Sequence, residues 1–319
     1  METVRTLDMF CGAGGSSVGA AAAGAAIVAG IDACPIATDT YKANFPRAKA
    51  IQSRLEDIDL ADLKHRLGRV DLLLASPECR NHTCARGAAP RDEASRETAL
   101  LTIEYARVFK PRWLVLENVI HMRPWSRYGE LKEGLRQLGY KLEERVLNSS
   151  DFGVPQSRRR LFLTGDREQD PRSELAGYVE HPVPARRILD EPGTWRMSPL
   201  FGPRRAEATL TKAKRAFAAL GDRASFLLVY YGNDGSGGWQ RLDRPLRTIT
   251  TVDRFALVEH DGDMWRMRML QVPELRRAMG HGEDFKLPVG TRRDRIKLLG
   301  NGVCPPVMEA VVRSLVSGE

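Results

Sequence analysis

The chain has 319 residues, 42% of them hydrophobic and 28% charged, and its 49 lysines and arginines against 41 acidic residues leave a net charge of +8. No apolar run approaches the roughly 20 residues of a membrane-spanning helix, and the opening METVRTLDMF has no apolar signal core. These features argue against a membrane or secreted protein and lead us to expect a cytoplasmic one. The positive charge favours a polyanionic partner, because neutralised phosphates release counterions.

Short apolar runs alternate with amphipathic stretches through the first half of the chain. This alternation predicts strands joined by crossover helices, and therefore an α/β fold around a parallel sheet. The strands are predicted at residues 4–9, 26–31, 70–75, 113–116, 141–147 and 161–164, and the helices at 35–44, 95–109 and 127–138.

The composition changes at about residue 167, where prolines and arginines become frequent. We therefore predict a first domain over residues 1–166, a smaller second domain over 167–255, and a return to the first domain over 256–319. The second domain contains RRAEATLTKAKRAFAALGDR, predicted as a basic helix whose charges face either solvent or phosphates, and a glycine-rich turn, YGNDGSGGW. The last region ends in the loop LLGNGVCPPV and a final helix.

A glycine-rich segment, LDMFCGAGGSSVG, follows the first predicted strand. Glycines here let the backbone turn tightly and approach a ligand, while the next helix offers free N–H groups. Asp32, at the end of the second strand, can accept hydrogen bonds from the hydroxyls of a ribose. These features alone fit a dinucleotide as readily as S-adenosylmethionine.

Five cysteines are scattered along the chain, and their odd number argues against a disulfide framework. Cys79 and Cys84 flank His82, but no second pair of ligands at short spacing accompanies them, so we predict no metal site.

Five motifs occur in the order and spacing found in one enzyme family. They are LDMFCGAGG, a Pro…Cys loop at 77–79, LENV at 116–119, PQSRRR at 155–160 and LLGNGV at 298–303. Over residues 1–165 and about 265–319 the chain resembles the cytosine-5 DNA methyltransferases. The resemblance implies a doubly wound, mostly parallel α/β sheet of the Rossmann-like methyltransferase class, with a smaller target-recognition domain.

The resemblance also implies a mechanism. Cys79 adds to C6 of the target cytosine, because a thiolate is available near neutral pH. Glu117 bonds the N3 and amino edge of the ring and supplies a proton, for which a pKa raised by burial is suited. Alternation puts Arg158 and Arg160 on one face and Arg159 on the other. We assign Arg160 to the cytosine O2 and Arg158 to bracing the catalytic loop.

A binding site for S-adenosylmethionine is implied as well. Phe10 stacks on the adenine and Asp32 holds the ribose, while Asn301 and Gly302 close over the methionine end. The remaining residues predicted there are Gly12 and Gly14 in the glycine-rich turn, and Pro77 and Leu100 in the adenine pocket.

The implied partner is double-stranded DNA. We expect a monomer that binds neither a membrane nor a metal ion, and that is located at the nucleoid if the source is bacterial. The target base leaves the helix at a cost of a few kcal/mol, and the loop at 80–94 closes on it. The threonine-rich segment PLRTITTVDRF is predicted as a strand that contacts phosphates and the orphaned base. A target-recognition domain of about 90 residues has room for few contacts with base edges, so we expect a short or loosely defined target sequence.

One departure from the family pattern lies in the catalytic loop. The family reads Pro-Cys-Gln, whereas this chain reads Pro77-Glu78-Cys79-Arg80. A carboxylate beside a thiol slows its attack, so we predict that Glu78 points away from Cys79. Cys84 then falls beyond reach of the base and is predicted to be structural.

Arg54 is a second departure, since the family commonly has an aspartate there that accepts a hydrogen bond from the adenine amino group. An arginine cannot accept that bond. Either Glu56 or Asp57 replaces the aspartate, or the pocket holds the donor differently.

Three alternative functions stay open. They are transfer of an altered donor group or modification of another pyrimidine target, methylation of tRNA cytosine, and DNA binding without catalysis by a protein whose thiol is inactive.

Overall fold

The larger sheet is doubly wound and mostly parallel, as the sequence predicts. The computed structural model describes residues 3–77, 93, 97–172, 174–203, 205–221, 224–231 and 238–316. The strands of this sheet are β1 (Arg5–Met9), β2 (Ala26–Asp32), β3 (Lys49–Gln52), β4 (Leu72–Ala75), β5 (Trp113–Asn118), β6 (Lys141–Asn148) and β7 (Arg159–Asp166). Their order is β3-β2-β1-β4-β5-β7-β6. The strand β7 runs in the direction opposite to the other six.

Helices cover both faces of this sheet. They include α1 (Gly15–Ala22), α2 (Pro35–Asn44), α3 (Leu60–Leu67), α4 (Leu101–Phe109) and α5 (Tyr128–Gln137). In β4, Leu73 packs into the core that holds α3, α4 and α5, whereas Leu72 and Leu74 pack into the core on the opposite face. A strand buried on both faces is apolar without alternation, which is why LLLA was recognisable from its sequence. No helix in the described ranges is long and apolar enough to cross a bilayer.

The strands and helices predicted for the first domain agree with the structure within the described residues, apart from shifted ends and one missed edge strand. The helix predicted at 95–109 is α-helical from Leu101 to Phe109, and its first predicted residues lie outside the described ranges. The helix at 35–44 is confirmed with its predicted bounds, and that at 127–138 shortens by one residue at each end. The strand β3 was missed, because its residues are only partly buried and it lies at the edge of the sheet. Such a strand does not show a clear apolar pattern.

A second, antiparallel sheet follows in the chain. Its strands are β8 (Ser198–Pro199), β9 (Phe226–Val229), β10 (Trp239–Arg241), β11 (Phe255–His260) and β12 (Trp265–Met269), in the order β10-β9-β11-β12-β8. The predicted basic helix is present as α6 (Glu207–Leu220) and packs on one face. The sheet continues to Met269, past residue 255, at which the sequence analysis placed the end of the second domain.

The other face of the second sheet joins the core of the first. Leu227, Val229 and Leu257 belong to the same buried cluster as Leu74 and Phe162. The two sheets are therefore attached through apolar contacts rather than through a linker alone.

The C-terminal region forms α7 (Val272–Ala278), α8 (Arg292–Asn301) and α9 (Pro305–Val316). A Cβ atom on Gly15 would lie 2.3 Å from the carbonyl oxygen of Val303, and one on Gly19 would lie 2.5 Å from that of Pro305. These two glycines lie one turn apart on α1, so the C-terminal segment can lie directly against the helix. This close packing brings the loop after α8 to the glycine-rich turn before α1.

Candidate active site

Asp32 organises the glycine-rich turn. Its Oδ2 accepts a hydrogen bond of 2.9 Å from the backbone N–H of Gly12, and its Oδ1 accepts one of 2.8 Å from that of Cys34. The turn uses left-handed backbone conformations at Phe10 (φ 57°) and Gly14 (φ 100°). A Cβ atom on Gly12 would meet nothing within 4 Å, so the turn borders open space beside a carboxylate.

Three other residues of the predicted donor site have different environments. Pro77 is buried, and its carbonyl oxygen accepts a hydrogen bond of 3.1 Å from the Asn118 amide. Leu100 is partly buried and packs against the same core as Phe10. Asn301 is exposed at the end of α8, next to Gly302. An aromatic ring, a carboxylate and an open glycine turn are groups that fit an adenosine with a methionine tail.

Arg54 interacts with Glu56. Its Nε donates a hydrogen bond of 2.8 Å to Oε1 of Glu56, and its Nη2 lies 2.7 Å from the same oxygen. The Arg54 side chain is 69% exposed. Of the two acids that the sequence analysis considered as replacements for the missing aspartate, Glu56 is therefore already paired with a cation.

Glu117 is a buried acid beside a cation. It lies at the end of β5, is 6% exposed, and its Oε1 is 3.3 Å from Nε of Arg160. Burial raises the pKa of Glu117, while the charges of Arg160 and Arg158 oppose the rise. This direction agrees with the raised pKa expected from the sequence. Burial therefore lets this carboxyl group keep its proton to a higher pH than an exposed glutamate does.

Arg158 has a different environment from Arg160. Arg158 is 3% exposed, and its guanidinium group donates to the carbonyl oxygens of Ile249 at 3.1 Å and of Gly300 and Gly302 at 2.9 Å. Arg159, between the two, is exposed, so the predicted alternation is confirmed. Arg158 holds together three segments that are far apart in the chain.

The PQSRRR segment is fixed by the threonine-rich segment. Gln156 is fully buried, and its Oε1 accepts a hydrogen bond of 2.8 Å from the N–H of Ile249. The Thr248 hydroxyl donates to the carbonyl of Ser157 at 2.9 Å. The threonine-rich segment was predicted as a strand, but it makes only a single parallel bridge, between Gln156 and Leu246. These bonds set the positions of Arg158 and Arg160.

The model of the C-5 cytosine-specific DNA methylase family matches residues 4–317. The chain belongs to that family. This methyltransferase is 32% identical over 308 residues to the Type II methyltransferase M.HgiDI of Herpetosiphon aurantiacus, covering 94% of this chain and 90% of that protein. It is also 35% identical over 189 residues to the Type II methyltransferase M1.HphI of Haemophilus parahaemolyticus, covering 56% of this chain and 48%, about half, of the relative.

Among solved structures, the methyltransferase is similar to EhMeth of Entamoeba histolytica. The TM-score is 0.73 and 99% of each chain is covered, at 16% identity, so this likeness shows the fold. The family match confirms the resemblance read from the five motifs, together with the enzyme class, a cytosine-5 DNA methyltransferase.

Part of the predicted site lies outside the described residues. Glu78, Cys79 and Cys84 belong to that part, as does the loop at 80–94 except Glu93. Asn118 holds Pro77, the last described residue before this loop, and sequence reasoning missed that role although Asn118 is part of LENV. Within the described ranges, no three His, Cys, Asp or Glu side chains form a group that could hold a metal ion.

Proposed function

We propose that this methyltransferase transfers a methyl group from S-adenosylmethionine to C5 of a cytosine flipped out of duplex DNA. The observation that carries the proposal is the pairing of Glu117 with Arg160 at 3.3 Å, next to the strand that leads to Pro77. The edge of cytosine presents an acceptor at N3 and another at O2. A neutral carboxyl group beside a guanidinium group is complementary to both.

In the proposed reaction the Cys79 thiolate forms a bond to C6 of the ring. The electron pair of the C5–C6 double bond becomes a C4–C5 double bond, and the C4–N3 pair moves to N3 and takes the proton of Glu117, so no full negative charge accumulates on the ring. Arg160 donates to O2 and keeps the ring oriented. C5 then has enamine character and is nucleophilic. After the transfer, the N3 proton returns to Glu117, and loss of the C5 proton to a base with departure of the thiolate restores the aromatic ring.

S-adenosylmethionine, when bound, supplies an electrophilic methyl group on a sulfonium. We assign Phe10 to the adenine and Asp32 to the ribose, since both lie at the open glycine-rich turn. Asn301 and Gly302 are assigned to the methionine end because Arg158 holds their segment against that turn. The predicted contributions of Gly12, Gly14, Pro77 and Leu100 belong to the same proposal.

Duplex DNA is the proposed partner of the second sheet and its helix α6, bound by a monomer. The net charge of +8 supports a polyanionic ligand. Lys214 and Arg215 on α6 are exposed cations that could contact phosphates. The core shared by the two sheets supports this proposal, because it packs the second sheet against the sheet that carries Glu117 and Arg160.

The test is mass spectrometry of nucleosides after incubation of the protein with S-adenosylmethionine and duplex DNA, with tRNA in a parallel reaction. We expect 5-methylcytosine from the duplex. A heavier substituent would reveal a different donor, and product from tRNA alone would make the protein an RNA enzyme. Tight duplex binding without product would contradict the proposal and favour a silent binding module.

A duplex with 5-fluorocytosine at the target position tests the nucleophile separately. The fluorine cannot leave as a proton does, so the cysteine adduct persists. We expect an adduct with the wild type and with Cys84→Ser, and none with Cys79→Ser. Cys84→Ser is the matched control, since it makes the same change in the same loop. An adduct that depends on Cys84 would reverse the assignment.

A further inference from the structure

A small cavity lies between Glu117 and the core shared by the two sheets. Its polar lining consists of Glu117, Ser149, Arg158, Arg160 and Cys304, and four apolar side chains complete the wall. It has room for one water molecule at most, so it is too small for a pyrimidine ring. It is therefore distinct from the space that a flipped base would occupy.

Glu117 presents an incompletely bonded oxygen to this region. Its Oε1 is buried and has no hydrogen-bond partner among the described residues, although Arg160 lies 3.3 Å away. Leaving a buried polar atom without a hydrogen bond costs about 1–3 kcal/mol. A water molecule in the cavity would supply the missing donor.

Cys304 brings a thiol to the same cavity. It is 4% exposed, and burial raises the pKa of its thiol, while Arg158, Arg160 and the Ser149 hydroxyl oppose the rise. The thiol therefore stays protonated near neutral pH and acts as a weak donor and acceptor. The Ser149 hydroxyl donates to the carbonyl of Gln156 at 2.6 Å, which leaves its oxygen able to accept a hydrogen bond.

We propose that this cavity binds one water molecule that donates to Oε1 of Glu117, and that Cys304 is a positioning residue which, with Ser149, holds that water. The proposal rests on the proposed role of Glu117 as the acid. The water donates one hydrogen to Glu117 and the other to the oxygen of Ser149, which also contacts the Cys304 thiol directly. It stabilises the carboxylate that remains when Glu117 gives up its proton.

The direction of the expected effect follows from the groups that face Glu117. In the described ranges these are the cations Arg158 and Arg160 and the thiol of Cys304. Excluding the water removes a donor to the carboxylate but leaves both cations. The neutral acid is then favoured, so the pKa of Glu117 rises further.

Two substitutions exclude the water from different walls of the cavity. Cys304→Val replaces the thiol with an apolar group of similar size, and Val307→Ile fills space from the apolar wall. Both should move the titration of the Glu117 carboxyl, followed by carbon-13 NMR and identified by its loss in Glu117→Gln, upward by about half a pH unit or more. Cys304→Ser, which retains a polar hydrogen, should restore the wild-type titration. Val311→Ile, the same change one turn along α9, is the control and should leave it unchanged.

The alkaline limb of adduct formation with the 5-fluorocytosine duplex should move with the NMR titration. An unchanged titration in Cys304→Val and Val307→Ile would overturn the proposal, as would a Cys304→Ser variant that titrates like Cys304→Val. If the wild type formed no adduct at all, the proposed function would fail, whereas the NMR titration would still decide the role of Cys304. Thermal unfolding of each variant shows that the fold is retained.

Discussion

Nη2 of Arg158 donates a hydrogen bond of 2.9 Å to the carbonyl oxygen of Gly302. A residue of the predicted catalytic motif thereby holds a residue of the predicted donor site, 144 positions later in the chain. Arg160, two residues beyond Arg158, lies instead beside Glu117. The two arginines of one motif therefore contribute differently, one to the assembly of the site and the other to its chemistry.

We predict that replacing each arginine in turn by glutamine affects stability at one position and activity at the other. Arg158→Gln leaves the carbonyls of Ile249, Gly300 and Gly302 without their shared donor, and should lower the free energy of unfolding by about 3 kcal/mol or more. Arg160→Gln should change stability much less but slow adduct formation about 100-fold or more, because it removes a charge aimed at the reacting ring. Urea denaturation and trapping on the 5-fluorocytosine duplex measure the two effects. Equal losses of stability in both variants would contradict the division of roles.

The contact between Gly15 and the C-terminal segment gives a second prediction. In Gly15→Ala the new Cβ would lie 2.3 Å from the carbonyl oxygen of Val303, so backbone must move. We expect a loss of about 1–3 kcal/mol in stability and weaker binding of S-adenosylmethionine, because the loop at 301–303 shifts from the glycine-rich turn. Isothermal titration calorimetry and thermal unfolding provide the measurements.

Gly129→Ala is the matched control for Gly15→Ala. Gly129 lies in α5, and a Cβ atom there would meet nothing within 4 Å. Alanine is the better helix former by about 1 kcal/mol, so this variant should be as stable as the wild type or more stable. A Gly15→Ala variant that bound the donor as tightly as Gly129→Ala would show that the close packing is not needed for the donor site.

The features that the sequence predicted are those that repeat along the chain or occur in motifs. The two-residue period of a strand placed Arg158 and Arg160 on one face. A continuous apolar run predicted a buried strand at 113–116, and Glu117 lies at the end of that strand. The α/β fold and its helices followed from the alternation of apolar periods.

The features that sequence analysis missed are contacts between distant residues. Asn118 reaches the carbonyl of Pro77 41 residues away, and Arg158 reaches that of Gly300 across 142 residues. Such bonds join side chains to backbone oxygens, which every residue carries, so no residue type marks the acceptor. No sequence pattern marked Cys304 as a residue of the site, because its proposed role in holding a water depends on a cavity formed by several segments.

Asp8 provides a prediction about pH. It is fully buried beneath the glycine-rich turn, where its Oδ2 accepts a hydrogen bond of 2.7 Å from Ser17. Burial raises the pKa of Asp8 from 3.8 to about 7, the Ser17 bond opposes this, and the charge of Asp32 adds to it. The folded protein therefore binds this proton more tightly than the unfolded chain does. That stabilisation is full below pH 3.8 and is lost as the pH rises to about 7.

In Asp8→Asn this contribution is absent. As the pH rises from about 4 to about 7, the wild type should lose more stability than the variant, by up to about 1.4 kcal/mol per pH unit. Urea denaturation at a series of pH values measures the difference. Asp39→Asn, at an exposed position on α2, is the control and should follow the wild-type curve. Parallel curves for Asp8→Asn and the wild type would contradict the prediction.

The buried ion pair between Arg268 and Glu274 joins the second sheet to α7. Two hydrogen bonds of 2.7 and 2.6 Å connect the guanidinium group to the carboxylate, and Glu274 also accepts from the backbone N–H groups of Gln271 and Asp190. Glu274→Gln leaves the Arg268 charge without its partner and should cost about 3–5 kcal/mol of stability. The double variant Arg268→Met, Glu274→Gln removes both charges and retains an acceptor for the backbone, so its loss should be smaller than the sum of the two single losses by about 1–3 kcal/mol. Arg66→Gln, in the exposed pair with Asp62, should cost less than about 1 kcal/mol. Additive losses in urea denaturation would show that the two buried charges do not depend on each other.

The same ion pair should also affect activity. Ala278, at the end of α7, accepts a hydrogen bond from Gln156 of the PQSRRR segment. Glu274→Gln should therefore slow adduct formation, whereas Arg66→Gln should not.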